Sequence, residues 1–133
     1  MGVTLSTAAR NAAADAVVDL LDAGASPETA GDIAFATSAD SVKATCVMSK
    51  PAFGAASTGV CTASAIAAGT VSGASTSPQT VITKAFFRNM ADTEIFRCVV
   101  ASPSGGDINL SSNIVNNDDT ITITSLTYTQ PAS

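Results

Sequence analysis

Apolar side chains recur at three- and four-residue intervals over the first part of the chain. This spacing predicts one amphipathic α-helix over about residues 5–23. Ser6 or Thr7 can cap its start by accepting a hydrogen bond from an unpaired backbone N–H. Gly24, directly after the last apolar residues, can adopt the left-handed conformation that ends a helix.

The faces of this helix follow from the same spacing. Polar residues fall mostly on one side, where Asp15, Asp19 and Asp22 are expected to form a solvated acidic face. Because an isolated helix of this length is marginal in water, its apolar stripe must pack either on its own domain or on a partner. The stripe consists of Leu5, Ala9, Ala12, Ala13, Ala16, Val17, Leu20 and Leu21.

Beyond residue 31 apolar and polar positions alternate, which is typical of β-strands. Residues 42–48 alternate cleanly. Residues 80–88 and 94–101 are rich in Val, Ile and Phe, and the short segment between them predicts a hairpin. Shorter strands are expected at 33–37, 60–66, 107–110 and 120–128, the last with a bulge at 124–125.

Gly, Pro, Ser and Asn separate these strands. Segments 25–31 and 50–54 are predicted as a loop and a bend, 116–119 as a polar turn, and 67–79 as an exposed loop. About seven or eight short strands with this punctuation predict a mainly β fold, a jelly-roll-like β-sandwich or barrel with one N-terminal amphipathic α-helix. The 133 residues fit a single domain, 1–133, with its β-rich remainder at about 32–129.

Charge and hydropathy narrow the possible partners. Only 13% of the residues are charged, the net charge is −5, and the six basic residues are scattered along the sequence. No basic stripe is available for phosphate contacts, so direct nucleic-acid binding is not expected. No stretch approaches the roughly 20 apolar residues of a membrane span, and the N-terminus lacks the basic and apolar regions of a signal peptide. We therefore expect no membrane partner and folding in a cytoplasm.

The residue types that catalysis needs are scarce. No histidine is present, so Ser–His–Asp and Cys–His arrangements cannot form. Cys46, Cys61 and Cys98 are far apart and are expected to be buried free thiols rather than metal ligands. The pair Asp118–Asp119 fits a turn better than catalytic carboxylates or a calcium loop, and residues 69–73 lack the lysine of a phosphate loop. We therefore assign no catalytic, cofactor-binding or metal residue and expect a protein that is not an enzyme.

Four segments form an ordered set along nearly the whole chain. They are residues 8–13 continuing to 22–24, residues 51–56, Phe87–Arg88, and residues 106–110 leading to 125–128. Together they resemble the small virion structural proteins encoded in the head-gene regions of tailed bacteriophages, which decorate or cement the capsid shell.

The resemblance implies a capsid decoration (cement) protein that binds the outside of the head and stabilises contacts between copies of the major capsid protein. It also implies a homo-oligomer, a dimer or a trimer, on the outer surface of the virion after synthesis in the bacterial host cytoplasm. Contacts with the shell are expected at residues 67–79 and at the two chain ends. A phage tail, adaptor or baseplate component is the alternative. A glycan-binding module is disfavoured, because Tyr128 is the one Tyr and Trp is absent.

Overall fold

The computed structural model describes residues 2–24 and 29–132, in which the chain forms one α-helix and eleven short strands. Helix α1 spans Thr7–Asp19 and continues into one 3-10 turn, Leu20–Asp22. The strands are β1 (Thr29–Ala36), β2 (Val42–Ser49), β3 (Val60–Thr62), β4 (Gly69–Thr70), β5 (Thr80–Val81), β6 (Lys84–Arg88), β7 (Glu94–Ala101), β8 (Ile108–Asn109), β9 (Ile114–Val115), β10 (Thr120–Ile121) and β11 (Thr127–Thr129). The predicted mainly β class with one N-terminal helix is confirmed, and the main sheet curls into a half-barrel, consistent with the expected sandwich or barrel.

The main sheet has five strands in the order β2-β1-β6-β7-β8. Neighbouring strands are antiparallel except β7 and β8, which run parallel. Strand β1 lies between β2 and β6 and is buried on both faces. Ile33 and Phe35 point into the main core, whereas Ala34 and Ala36 pack with Phe86 on the outer face.

The predicted hairpin is present as β6 and β7. Its connection is closed by Asn89, whose Oδ1 accepts hydrogen bonds from the backbone N–H groups of Ala91 (2.9 Å) and Thr93 (3.1 Å). An asparagine side chain stabilises a turn in this way. The predicted strand 80–88 is divided, because β5 pairs with β9 before the chain enters the main sheet as β6.

Three two-stranded ladders, β4–β10, β3–β11 and β5–β9, complete the core. They contribute the buried side chains of Cys61, Val115 and Ile121. The predicted strand 120–128 is likewise divided into β10 and β11, since the chain changes ladder where a bulge was expected. The largest fully buried side chains are those of Phe35, Phe87, Leu21, Ile33, Met48, Ile82, Val18 and Val71.

The exposed loop predicted over 67–79 is partly confirmed: residues 73–79 are exposed apart from the partly buried Ala74, whereas residues 67–72 pack along β2. They begin along the outer edge of β2, where the backbone N–H of Ala67 donates to the Val47 carbonyl oxygen at 2.9 Å. Gly69 permits this approach, because a Cβ there would lie 2.4 Å from the Thr45 carbonyl oxygen. Covering the edge in this way satisfies backbone groups that an edge strand would otherwise expose. The small residues of 67–72 therefore mark a close backbone contact rather than a loop.

The predicted loop over residues 25–31 is also partly wrong. Residues 29–31 belong to β1, and residues 25–28 lie outside the described residues. The pairing of β1 with β2 shifts register between Thr29 and Asp32. Gly31 makes this irregularity possible, since a Cβ there would overlap the Arg88 carbonyl oxygen.

Helix α1 begins as predicted, with the Ser6 hydroxyl accepting a hydrogen bond from the Ala9 backbone N–H at 3.2 Å. Of the predicted stripe, Leu21 is buried as expected, but Ala9, Ala12, Ala16 and Leu20 are exposed. Ala14, Val18 and Leu21 are buried, whereas Leu20 is 53% exposed. Both sets of positions satisfy helical spacing, so periodicity cannot choose between them. The choice is made by the polar side chains that flank the buried face.

Replacing Leu20 or Leu21, at the end of α1, tests which face of the helix is buried. Leu21→Ala should lower the free energy of unfolding by about 2–5 kcal/mol, because it leaves a cavity in the core. Leu20→Ala should change it by about 0.5 kcal/mol or less, as at most exposed positions. Urea denaturation followed by circular dichroism measures both. Equal losses for the two variants would contradict this orientation of the helix.

Candidate functional site

Polar side chains hold α1 on the domain. Three of them accept hydrogen bonds from backbone N–H groups of the segment 52–59, between β2 and β3. The pairs are Asn11 with Gly59 (2.7 Å), Asp15 with Ala56 (2.8 Å) and Asp22 with Ala52 (2.8 Å). The predicted solvated acidic face is therefore wrong for Asp15 and Asp22, and only Asp19 is exposed as expected.

The first turn of α1 is fixed to the C-terminal segment. The Nε and Nη2 atoms of Arg10 both donate to the Gln130 carbonyl oxygen, at 3.1 and 3.0 Å. The backbone N–H of Leu5 donates to the Ala132 carbonyl oxygen at 2.7 Å. The two described ends thus lie side by side on the body of the domain, and shell contacts there stay a prediction.

Because Asn11, Asp15 and Asp22 turn inward, the exposed side of α1 is mostly apolar, with Asp19 as its one acidic residue. This outward helix face consists of Ala9, Ala12, Ala16, Leu20 and Ala23, all of them exposed. A surface helix usually places its apolar stripe on its own core and its polar side in water. The reversed arrangement leaves small side chains and one large aliphatic side chain available to another protein.

The outer face of the main sheet is different in character, because charges of both signs are paired on it. Arg88 binds Asp32 through two hydrogen bonds of 2.8 and 2.9 Å, and both side chains are 18% exposed. Arg97 binds Glu94, and its guanidinium lies 4.7 Å from the centre of the Phe86 ring. Lys84 forms a further ion pair with Asp40. The cations of this face are therefore already satisfied by neighbouring acids.

A cleft of about 260 Å³ opens among β7, β8 and β11. Phe96 stacks on Phe87, with ring centroids 4.4 Å apart, and meets Tyr128 at 5.4 Å and an angle of 44°. Cys98 and Asp107 also line the cleft. Its lining thus combines four aromatic side chains with aliphatic and polar ones, including the exposed carboxylate of Asp107 and Arg97, whose guanidinium is bound to Glu94.

The three cysteines are free thiols, as the sequence predicts. Cys46 and Cys61 are buried, and burial is the main cause that raises the pKa of both. Cys98 is half-buried, and burial, with a smaller contribution from the Asp107 carboxylate, raises its pKa to about 11. All three thiols are therefore protonated at neutral pH and act as small apolar side chains.

The predicted polar turn at 116–119 is confirmed. The Asp119 Oδ2 atom accepts a hydrogen bond from the Asn116 backbone N–H at 2.8 Å, which is how acidic residues stabilise turns. The Asn117 Oδ1 atom accepts from the Ala74 backbone N–H at 2.8 Å. Within residues 2–24 and 29–132, no group of three or more His, Cys, Asp or Glu side chains is placed to hold a metal ion.

No helix in the described ranges is long and apolar enough to cross a membrane. Comparisons with protein-family models, with curated proteins and with solved structures find no match to this chain. What the protein binds must therefore be argued from its own surfaces.

Sequence reasoning missed both the outward helix face and the cleft. A signal for the first was present, because Asn11, Asp15, Val18 and Asp22 also follow three- and four-residue spacing. Polar residues at such positions can face inward when the domain presents backbone N–H groups that need an acceptor. The cleft had no comparable signal, since its lining comes from residues between 53 and 129.

The docking of α1 can be tested at one carboxylate. Asp15→Ala leaves the Ala56 backbone N–H without its acceptor and should lower the free energy of unfolding by about 1–3 kcal/mol. Asp19→Ala removes an equal charge from the exposed side and should change it by about 0.5 kcal/mol or less. Chemical denaturation compares the two. A loss confined to Asp19→Ala would contradict the inward position of Asp15.

The three thiols differ in accessibility and can be distinguished by their rates of alkylation. In the folded protein, iodoacetamide should modify Cys98 first, with a rate that rises about tenfold per pH unit between pH 8 and pH 10, because only the thiolate reacts. Cys46 and Cys61 should react on unfolding. Peptide mass spectrometry after quenching gives the rate at each site. A rate for Cys98 that levels off near pH 9 would show an unperturbed thiol.

Proposed function

We propose that this protein is a bacteriophage virion structural protein that decorates the outside of the capsid and stabilises contacts between copies of the major capsid protein. The observation that carries the proposal is the outward helix face, which the domain itself leaves uncovered. The four segments that resemble head-region virion proteins are the reason for proposing the virion, and its capsid, as the location of this protein.

The physical case rests on how α1 is attached. The side chains of Asn11, Asp15 and Asp22 are used within the domain, so the side that carries Leu20 and the exposed alanines, with Asp19 as its one acid, is free to pack on the shell. Burying the exposed part of Leu20 contributes about 1 kcal/mol per copy, which is weak for a single contact. A homo-oligomer of two or three copies would join such contacts on one particle, and their combined strength would far exceed each one.

Rigidity of the body supports the same role. The outer edge of β2 is covered by the segment after β3, and the two described ends are hydrogen-bonded to each other. A surface that is already ordered loses little conformational entropy on binding. Such a body suits a protein that must sit on a shell in one fixed orientation.

Rebinding to stripped capsids tests the proposal. Wild-type protein should return to capsids from which it was removed and should restore their resistance to heat. Leu20→Ser should weaken rebinding by at least about fivefold, which corresponds to about 1 kcal/mol. Val99→Ser is the matched control, because Val99 is 57% exposed on the outer face of the main sheet; it should rebind as the wild type does.

Two outcomes would contradict the proposal. Wild-type protein that neither rebinds nor protects the shell excludes decoration. A copy number of a few to tens per virion, measured by densitometry, would instead favour a tail, adaptor or baseplate component. Decoration predicts copies on the order of hundreds, as icosahedral symmetry repeats each site.

A further inference from the structure

The aromatic cleft among β7, β8 and β11 is a second candidate binding surface, separate from the outward helix face. Phe96 packs against Tyr128 on one side and stacks on Phe87 on the other, so the three rings form one continuous aromatic wall. The Tyr128 hydroxyl is held by Gln130 Oε1 at 3.2 Å, which fixes the ring. The wall is therefore set in place before any partner arrives.

A negative charge stands at the rim of this cleft. The Asp107 Oδ2 atom accepts a hydrogen bond from the Val99 backbone N–H at 2.9 Å. No lysine or arginine pairs with Asp107 within residues 2–24 and 29–132, since Arg97 reaches Glu94 on the opposite face of β7. The carboxylate also acts on the interior of the cleft, because it contributes to the raised pKa of Cys98.

We infer that the cleft binds a basic side chain, lysine or arginine, of a partner protein. Aromatic faces attract cations electrostatically, and an unpaired carboxylate beside them adds charge complementarity. The long alkyl stem of either residue would lie against Phe96 and Ile108, while its charged end would reach Asp107. A volume of about 260 Å³ fits one such side chain, whereas drug-sized ligands occupy about 300–1,000 Å³.

The same strand provides an internal example of this chemistry. On the opposite face of β7, Arg97 lies over the Phe86 ring at 4.7 Å and binds the carboxylate of Glu94. A ring, a cation and a carboxylate there form a complete set. The cleft holds the rings and the carboxylate of a second set, but the guanidinium of Arg97, which also lines it, is bound to Glu94 and does not pair with Asp107.

This inference stands apart from the proposed function. None of the residues of the outward helix face lines the cleft. The partner is defined by its basic side chain. A failure of capsid binding would therefore not contradict cation binding in the cleft, and a cleft that binds no cation would not contradict capsid binding.

Tyrosine fluorescence provides a local readout. Tyr128 is the one tyrosine of the chain and tryptophan is absent, so intrinsic emission reports on the cleft. The full-length protein is titrated with the short blocked peptides acetyl-Gly-Arg-Gly-amide and acetyl-Gly-Lys-Gly-amide. Their neutral counterparts carry citrulline and N-acetyl-lysine. Each basic peptide should bind about tenfold more tightly than its neutral counterpart.

Two variants of equal charge locate the site. Asp107→Asn keeps an oxygen that can accept from the Val99 N–H but removes the charge, and should weaken binding of both basic peptides about tenfold. Asp118→Asn removes the same charge in the 116–119 turn, where the residue has φ of +71°, a conformation that asparagine tolerates. It should bind as the wild type does.

Three results would overturn the inference. Equal binding of basic and neutral peptides would show a purely apolar cleft. Unchanged binding by Asp107→Asn would place the cation elsewhere. Choline, titrated in parallel, tests a free small amine; tighter binding of choline than of either basic peptide would replace the partner side chain by a small-molecule ligand.

Discussion

The orientation of α1 depends on three backbone N–H groups in the segment 52–59. They belong to Ala52, Ala56 and Gly59 and find acceptors on the side chains of the helix. Leaving a partly buried N–H unpaired costs about 1–3 kcal/mol. Three such groups together outweigh the gain of about 1 kcal/mol from burying the exposed part of Leu20. Hydrogen-bond satisfaction therefore acts together with the burial of Ala14, Val18 and Leu21 to decide which side of the helix faces the domain.

Several features of the surface follow from that choice. Asn11, Asp15 and Asp22 of α1 are used inside the domain, so its alanine-rich side faces the solvent together with Asp19 and Leu20. On the outer face of the main sheet the cations and acids neutralise one another. The carboxylate of Asp107 has no such partner among the described cations, and it stands beside the aromatic wall of the cleft. The surface thus has two distinct features, a mostly apolar helix face and an aromatic cleft with a carboxylate that no described cation pairs.

Local patterns predicted the elements that local forces determine. Strand β2 covers residues 42–49, where alternation was clearest, and its residues Ala44, Cys46 and Met48 face the core as the pattern indicates. Val42 belongs to the same alternation but is 40% exposed, because the register with β1 shifts next to Ala36. Alternation predicts the side on which a residue points only as long as the register is regular.

The sequence by itself determined that a capped helix begins at Ser6, that β6 and β7 form a hairpin, and that residues 116–119 turn. Each of these rests on contacts between near neighbours, whose geometry few residues define. Only the tertiary structure decided which face of α1 is buried, that residues 67–72 cover the edge of β2, and that Phe96, Tyr128 and Asp107 share one cleft. These outcomes depend on backbone donors and side chains that are far apart in sequence. A glycine or an alanine has the same local backbone preference in a loop as beside an edge strand. Which of the two it forms therefore depends on the strand that the rest of the fold brings next to it.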